Sequence, residues 1–235
     1  IGVSALAANT TAGNNVAVGR NALLANTTGA GNTSLGAFAL DANTTGNTNT
    51  ALGFGTLSAN TTATSNVAVG NNALLVNTTG DQNVAVGSGA LDANTVGEYN
   101  TAIGEATLST DTKGSRNVAV GRAALANQNF TSATNSYNIG VGYGAGNAIT
   151  TGIQNTFVGG LAGDATDDGS YNVGVGLQAL SANCGDRNTA VGESALSLTT
   201  ANSNTAVGSG AGKTISTGAN NVAVGAAALD ANTTA

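Results

Sequence analysis

Residues 66–70 read Asn-Val-Ala-Val-Gly, and Ala73 and Leu74 stand three and four residues after that glycine. Aliphatic residues alternate here with a small one at a period of two, which is typical of a β-strand. Residues 77–80 then read Asn-Thr-Thr-Gly, and Asn and Gly tolerate the positive φ angles of tight turns. This stretch therefore predicts a short strand followed by a turn.

The same pattern recurs in one register along the chain. We name the glycine at its centre, Gly70 in the stretch above, the repeat glycine. The repeat glycines are Gly2, Gly19, Gly36, Gly53, Gly70, Gly87, Gly104, Gly121, Gly142, Gly159, Gly176, Gly192, Gly208 and Gly225. The spacing is seventeen except for a longer gap after Gly121 and two gaps, after Gly176 and Gly192, that are shorter by one. This period is too short for a βαβ unit or a propeller blade and fits one coil of a β-solenoid.

We therefore predict an all-β fold, a parallel β-solenoid of about 14 coils that forms a single repeat domain over residues 1–235. The longer gap between Gly121 and Gly142 predicts an insertion near 126–137. Residues 1–2 and residues 232–235 each hold only part of a repeat, so we expect a segment of a longer fibre, or a unit whose ends are covered by neighbours.

An asparagine stands four residues before each repeat glycine wherever that position is present. We name these residues the strand asparagines. They are Asn15, Asn32, Asn49, Asn66, Asn83, Asn100, Asn117, Asn138, Asn155, Asn172, Asn188, Asn204 and Asn221. We predict a structural ladder, in which each side chain bonds its equivalent in the next coil and satisfies backbone groups of the turn. An ion-binding column is the alternative interpretation.

Composition excludes several classes of function. The 235 residues include no His, which excludes His-based triads and His-containing zinc sites. The net charge of −6 offers no surface to neutralise phosphates, so we expect no nucleic-acid partner. No apolar run approaches the roughly 20 residues of a membrane span, so we expect no membrane insertion by this segment. We expect no enzyme: no catalytic residue, no cofactor and no metal.

Charged residues avoid the five positions from the strand asparagine to the repeat glycine, and the third and fourth positions after it. Because a buried charge is costly unless paired, these positions are expected inside the coil or at a subunit interface. The residue two before the repeat glycine is small except for Phe157. Its size suggests close approach of another chain. Since such thin coils bury little apolar surface, we predict that trimerisation supplies the missing burial.

Several copies resemble the head repeat of trimeric autotransporter adhesins, the YadA-like head. Those that carry the resemblance most clearly are residues 66–70, 83–87, 100–104 and 188–192. Similar repeats occur in phage tail fibres and other long surface fibres. The resemblance implies a left-handed parallel β-roll in a homotrimer, a stiff extracellular fibre on a cell surface that adheres to host, matrix or other cells.

Two alternative functions remain open. One is a phage tail-fibre shaft or receptor-binding fibre, borne by a virion. The other is an ice-binding solenoid that uses rows of threonines such as Thr27, Thr44, Thr61 and Thr78.

Candidate ligand contacts are aromatic residues that interrupt the repeat. Tyr99, Tyr137 and Tyr171 each stand five residues before a repeat glycine, and Phe130 lies in the insertion. Exposed aromatic rings on a rigid scaffold suit a glycan or a surface-protein receptor. The alternative is that these rings only cover the edges of coils.

Cys184 is expected to be a free surface thiol. The acidic residues of 164–169 are expected in a solvated turn, with calcium binding as the alternative.

Overall fold

The structure is a computed structural model that describes residues 1–233. Its regular elements are all short parallel β-strands, and the described residues contain no helix. A three-residue strand precedes every repeat glycine from Gly19 to Gly225 and pairs with its equivalents in neighbouring coils. The predicted all-β parallel β-solenoid is therefore confirmed. Within residues 1–233, no helix has the length and apolar character needed to cross a membrane.

The chain divides into two compact units, which we describe separately. Unit 1 comprises Ile1–Arg116 and Phe130–Asn135, and unit 2 comprises Asn117–Asn129 and Ser136–Ala235. The tip of the expected insertion, residues 130–135, is thus counted with unit 1. The single repeat domain over 1–235 stays a prediction, and its last two residues, 234 and 235, lie outside the described range.

Unit 1 contains six three-residue strands that stack in chain order. They are β1 (Val16–Val18), β2 (Thr33–Leu35), β3 (Thr50–Leu52), β4 (Val67–Val69), β5 (Val84–Val86) and β6 (Thr101–Ile103). Each residue pairs with its equivalent one repeat later, so that Ala68 lies beside Ala85. Two further strands, β7 (Gly114–Ser115) and β9 (Thr134–Asn135), form a separate parallel pair.

Unit 2 contains seven strands of the same kind. They are β8 (Val118–Val120), β10 (Ile139–Val141), β11 (Thr156–Val158), β12 (Val173–Val175), β13 (Thr189–Val191), β14 (Thr205–Val207) and β15 (Val222–Val224). Val118 pairs with Ile139 across the insertion, and Val173 pairs with Thr189 across one of the two shorter coils. Extra or missing residues are therefore absorbed in turns, and the strand register is kept.

Each coil turns its corners with left-handed backbone. The repeat glycine Gly70 has φ +132, and a Cβ there would lie 2.6 Å from the carbonyl oxygen of Gly87 in the next coil. Only glycine permits this close approach. Leu74 at the next corner also has a positive φ, 52°. This conformation is unfavourable for leucine, but it turns the side chain into the core, where Leu74 is fully buried.

The core of most coils consists of small side chains and one leucine. Ala68, two residues before the repeat glycine, is fully buried, as are Ala73 and Leu74. The neighbours of Ala68, Val67 and Val69, lie on the other side of the strand and are half-buried. The expectation that the small residue faces another chain is therefore wrong. It is small because it points into a narrow coil, and the aliphatic residues point outward.

Candidate functional site

The strand asparagines are hydrogen-bonded between successive coils. Asn66 Oδ1 accepts the backbone N–H of Asn83 at 2.8 Å, and Asn66 Nδ2 donates to the carbonyl oxygen of Gly80 at 3.0 Å. In unit 2, Asn138 Oδ1 likewise accepts the N–H of Asn155 at 2.9 Å. The bond from backbone N–H to Oδ1 measures 2.8–3.0 Å throughout each unit. These contacts satisfy a buried N–H and a turn carbonyl in each coil.

Unit 1 holds a second asparagine ladder that the sequence analysis did not single out. It lies seven residues after the repeat glycine, and we name its members the turn asparagines. They are Asn9, Asn26, Asn43, Asn60, Asn77 and Asn94. Nδ2 of each donates to Oδ1 of the one before it, as from Asn43 to Asn26 at 2.8 Å. The signal was present, because asparagine occupies this position in six consecutive copies.

The threonines next to this ladder also bond between coils. Thr27 Oγ1 donates to the carbonyl oxygen of Thr44 at 3.0 Å, and Thr44 and Thr61 repeat the contact. Their hydroxyl hydrogens are therefore engaged within unit 1. These rows, proposed above for ice binding, tie one turn to the next.

The four candidate aromatic residues are not brought together. Tyr99 and Phe130 belong to unit 1, and Tyr137 and Tyr171 belong to unit 2. The Arg116 guanidinium lies over the Tyr99 ring, 4.6 Å from its centroid, and Arg187 lies over Tyr171 at 5.3 Å. One face of each of these rings is thus covered by an arginine.

Phe130 is not available as a surface contact, because it is buried in unit 1. Thr112 Oγ1 donates to its carbonyl oxygen at 3.1 Å, and Lys113 Nζ donates to the carbonyl oxygen of Thr131 at the same distance. Arg116 Nε donates to Asn135 Oδ1. The insertion tip is therefore held by the last coil of unit 1, with its ring in the core. Tyr137 remains exposed.

The outward side of the strands forms an uncharged face in each unit. We name it the outer strand face, and it consists of the residues three and one before each repeat glycine. The first row contains Val, Thr and Ile, the second contains Val, Leu and Ile, and neither row carries a charge in any copy. Leu35 in unit 1 is 48% exposed and Val207 in unit 2 is 40% exposed. Exposed apolar side chains that recur on one uncharged face are typical of an interaction site.

Cys184 is buried and is not the expected surface thiol. Its Sγ lies 3.2 Å from Thr166 Oγ1, and burial raises the pKa of the thiol to about 11. The thiolate is the reactive form of cysteine, so this residue is inert at neutral pH. It fills the turn core of its coil.

Three aspartates that stand five residues after a repeat glycine have partly buried side chains at the edge of the coil. Burial raises the pKa values of Asp41, Asp92 and Asp164. Oδ1 of each is buried without a hydrogen-bond partner among the described residues.

The acidic turn of unit 2 shows no arrangement of metal ligands. The Asp167 carboxylate accepts a hydrogen bond from Thr150 Oγ1, and Asp168 is exposed. In the part of the chain that the structure describes, no group of three or more acidic or cysteine side chains could hold a metal ion.

Comparisons with known proteins add no relative: no family model, curated protein or solved structure matches the chain.

Proposed function

We propose that the chain is a segment of a homotrimeric extracellular fibre that attaches a cell or a virion to other surfaces. Three left-handed β-rolls would lie side by side and contact one another through the outer strand face. The observation that carries this proposal is that the aliphatic rows point out of the coil while the small residues fill its interior.

The outer strand face suits further copies of the same chain. Every coil presents the same two uncharged rows, so a parallel copy in register meets an equivalent surface at each step of the stack. Two rows on one face let each chain contact one neighbour with each row, and such head-to-tail contacts can close into a ring. The number of chains in the ring, three, is what the resemblance of the repeat implies. Burial of half-exposed Val, Leu and Ile side chains would add about 25 cal/mol per Å² of apolar surface.

A structural role agrees with the way each coil is built. Backbone N–H groups, turn carbonyls and threonine hydroxyls are bonded from coil to coil at equivalent positions. Each coil therefore braces the next, and side chains on the remaining surface can vary without disturbing the stack. Charges are concentrated on that remaining surface. This arrangement supports a stiff spacer that presents variable contacts.

The trimer is tested by the mass of the purified chain in solution. One chain has a mass of 22.4 kDa, and we expect a species of three times that mass. Val86→Glu places a charge on the outer strand face and is expected to give monomers that are less stable than the trimer. Ser88→Glu is the matched control, since Glu105 and Glu193 occupy that position in other copies. A monomeric parent chain, or a Val86→Glu variant that remains trimeric, would overturn the proposal.

Attachment is tested with beads coated with the trimer. We expect more retention on matrix-coated or host-cell layers than with beads that carry Val86→Glu monomers, because the trimer presents each contact three times. Selective retention on bacterial envelopes would instead favour a tail-fibre shaft. Equal retention of trimer and monomer on every surface would contradict an adhesive role.

A further inference from the structure

Unit 2 contains a small depression whose walls differ in chemistry. It has a volume of about 200 Å³ and is lined by Ala123, Tyr143, Gly144, Asn147, Leu161 and Asp164. Gly144 and Ala123 form its floor. Each stands two residues after the repeat glycine of its own coil, and neither carries a large side chain. Tyr143 and Leu161 form an apolar side, while Asn147 and Asp164 supply an amide and a carboxylate.

The aromatic wall is exposed and braced. Tyr143 is 57% exposed, and the Arg122 guanidinium carbon lies 5.9 Å from the centroid of its ring. Elsewhere in the described chain, Phe54–Gly55 is the other aromatic–glycine pair at these two positions. There the space over the glycine is filled, because a Cβ on Gly55 would lie 2.6 Å from Asn72 Oδ1. Over Gly144, the nearest atom to an added Cβ would be Leu161 Cδ2 at 3.0 Å, the flexible end of a side chain that itself lines the depression.

The polar wall offers both a donor and an acceptor. Asn147 Nδ2 gives one hydrogen to the carbonyl oxygen of Ala123 at 3.0 Å, while its Oδ1 accepts from Asn127 Nδ2 at 3.2 Å. These bonds orient the amide, and an amide nitrogen carries a second hydrogen. Asp164 Oδ1 is buried with no partner among the described residues and lies out of reach of a ligand, so the acceptor is the other oxygen of this carboxylate, which lines the depression. Oδ1 of Asp41 and Oδ1 of Asp92 also lack a hydrogen-bond partner among the described residues. Asp164 differs from them because it lines the same depression as an exposed aromatic ring.

We propose that this depression binds one neutral pyranose ring of a surface glycan, which stacks on Tyr143 and bonds through its hydroxyls to Asn147 and Asp164. This proposal rests on the attachment function proposed above and names its ligand. A pyranose has an apolar C–H face and a polar edge, which match the two walls. The volume is below the roughly 300–1,000 Å³ of pockets that enclose drug-sized ligands, so a single sugar unit fits and an enclosed oligosaccharide does not.

The charges near the depression favour a neutral sugar. Asp164 and the net charge of −6 oppose an anionic sugar such as a sialic acid. Arg122 beside the Tyr143 ring opposes a cationic ligand, which would otherwise be the natural partner of an aromatic face with a carboxylate.

The test is saturation-transfer NMR of the trimeric chain with methyl glycosides of glucose, galactose, mannose and N-acetylglucosamine. A methyl sialoside and tetramethylammonium serve as charged comparators. We expect at least one neutral glycoside to bind and both comparators to fail. Tyr143→Ala should weaken binding about tenfold, because it removes one stacking contact and the apolar surface that this contact buries. Tyr143→Phe should retain binding.

Two glycine substitutions provide a matched pair. Gly144→Ala fills the floor and brings the added Cβ to 3.0 Å from Leu161 Cδ2, the flexible end of a side chain that can shift. Ala123 with φ 56° shows that alanine is tolerated at this position of the repeat. Gly210→Ala has the same position and a similar φ of +65, with no atom within 4 Å of the added Cβ. We expect Gly144→Ala to abolish glycoside binding and Gly210→Ala to leave it unchanged.

The outcomes separate this proposal from the proposed function. A trimer that attaches to surfaces but binds no neutral glycoside, or binds one equally well after Tyr143→Ala and Gly144→Ala, overturns the glycan site alone. A parent chain that forms no trimer and attaches to nothing overturns the proposed function, whatever the glycosides do.

Discussion

Units 1 and 2 build the same coil with different interiors. In unit 1 the fourth position after the repeat glycine is leucine in every coil and the seventh is asparagine until Asp111. In unit 2 the fourth position is glycine in three coils, at Gly146, Gly163 and Gly212. Where unit 2 loses the leucine, it gains a large side chain elsewhere in the coil.

The exchanged side chains occupy the space of the missing leucines. A Cβ on Gly146 would lie 3.2 Å from Ile149 Cδ1, and one on Gly212 would lie 3.1 Å from Ile215 Cδ1. At Gly163 the space is taken by Phe157, whose ring would be 2.5 Å from the added Cβ. The filled volume of the coil interior is therefore the same in both units, although the position that supplies the large side chain differs. Close packing requires the volume to be filled but does not require one particular position to fill it.

The polar ladders differ for a related reason. In unit 1 the carbonyl oxygen of Gly80 accepts two amide hydrogens, from Asn66 and Asn77. In unit 2 the equivalent carbonyl oxygen of Gly152 accepts one, from Asn138 at 2.7 Å, because Ile149 replaces the turn asparagine. The strand asparagine alone satisfies the carbonyl. The turn asparagine is therefore replaceable, whereas the strand asparagine is kept in both units.

The largest effect is expected from Phe157→Ala, which empties the core of its coil. The variant should lower the free energy of unfolding by about 3–5 kcal/mol, the range for deletion of a buried aromatic side chain. Urea denaturation followed by circular dichroism measures this at fixed protein concentration, since the stability of the proposed trimer would depend on concentration.

The double variant Phe157→Ala, Gly163→Leu restores the unit 1 arrangement and should recover most of that loss. Gly163 has φ +62, near the φ of 52° at Leu74, so leucine can adopt the backbone. Gly163→Leu alone should destabilise by crowding Phe157. If the losses in free energy of unfolding from the two single changes simply add in the double variant, the conclusion that side-chain volume is exchanged between these two positions is wrong.

A smaller effect should separate the two asparagine ladders. Asn66→Leu leaves the buried N–H of Asn83 without an acceptor, which should cost about 2 kcal/mol. Asn77→Thr should cost about 1 kcal/mol, because Gly80 keeps its bond from Asn66 and threonine already fills this position at Thr166 and Thr199. Both are measured by the same denaturation assay. Equal costs, or a larger cost at Asn77, would contradict the ranking of the ladders.

The sequence was sufficient for the fold class and the coil length, because a regular repeat register fixes which side chains stack. It did not reveal which side of the strand faces inward. Alternation shows only that Val67 and Val69 lie on the opposite side of the strand from Ala68. Because large apolar side chains usually form the core, one would expect the valines inside, whereas a coil this narrow has room only for the alanine. The burial of Phe130 and Cys184 was also missed, since each depends on a turn that departs from the repeat. Tyr143 stood out only once Gly144 and Asp164 were placed beside it.

The smallest effect concerns the aspartates at the coil edge, which both units share. Burial raises the pKa of the Asp92 carboxyl above its unfolded value, so this group contributes stability at low pH that is lost as the pH rises through the raised pKa. Asp92→Asn, with Asn147 as the natural precedent at this position, should therefore stabilise unit 1 at neutral pH. The gain should be less than about 1 kcal/mol, because water screens a partly exposed carboxyl.

The gain from Asp92→Asn should shrink as the pH falls below the raised pKa, where Asp92 itself becomes neutral. Denaturation midpoints measured between neutral and acidic pH give this profile, and Asp168→Asn, at an exposed turn position, is the control substitution. A gain that stays constant across the range would mean that the amide stabilises by hydrogen bonding and not by removing a poorly solvated charge. Asp164→Asn should reproduce the profile in unit 2, since its carboxyl shares the same buried edge and the same shortage of donors.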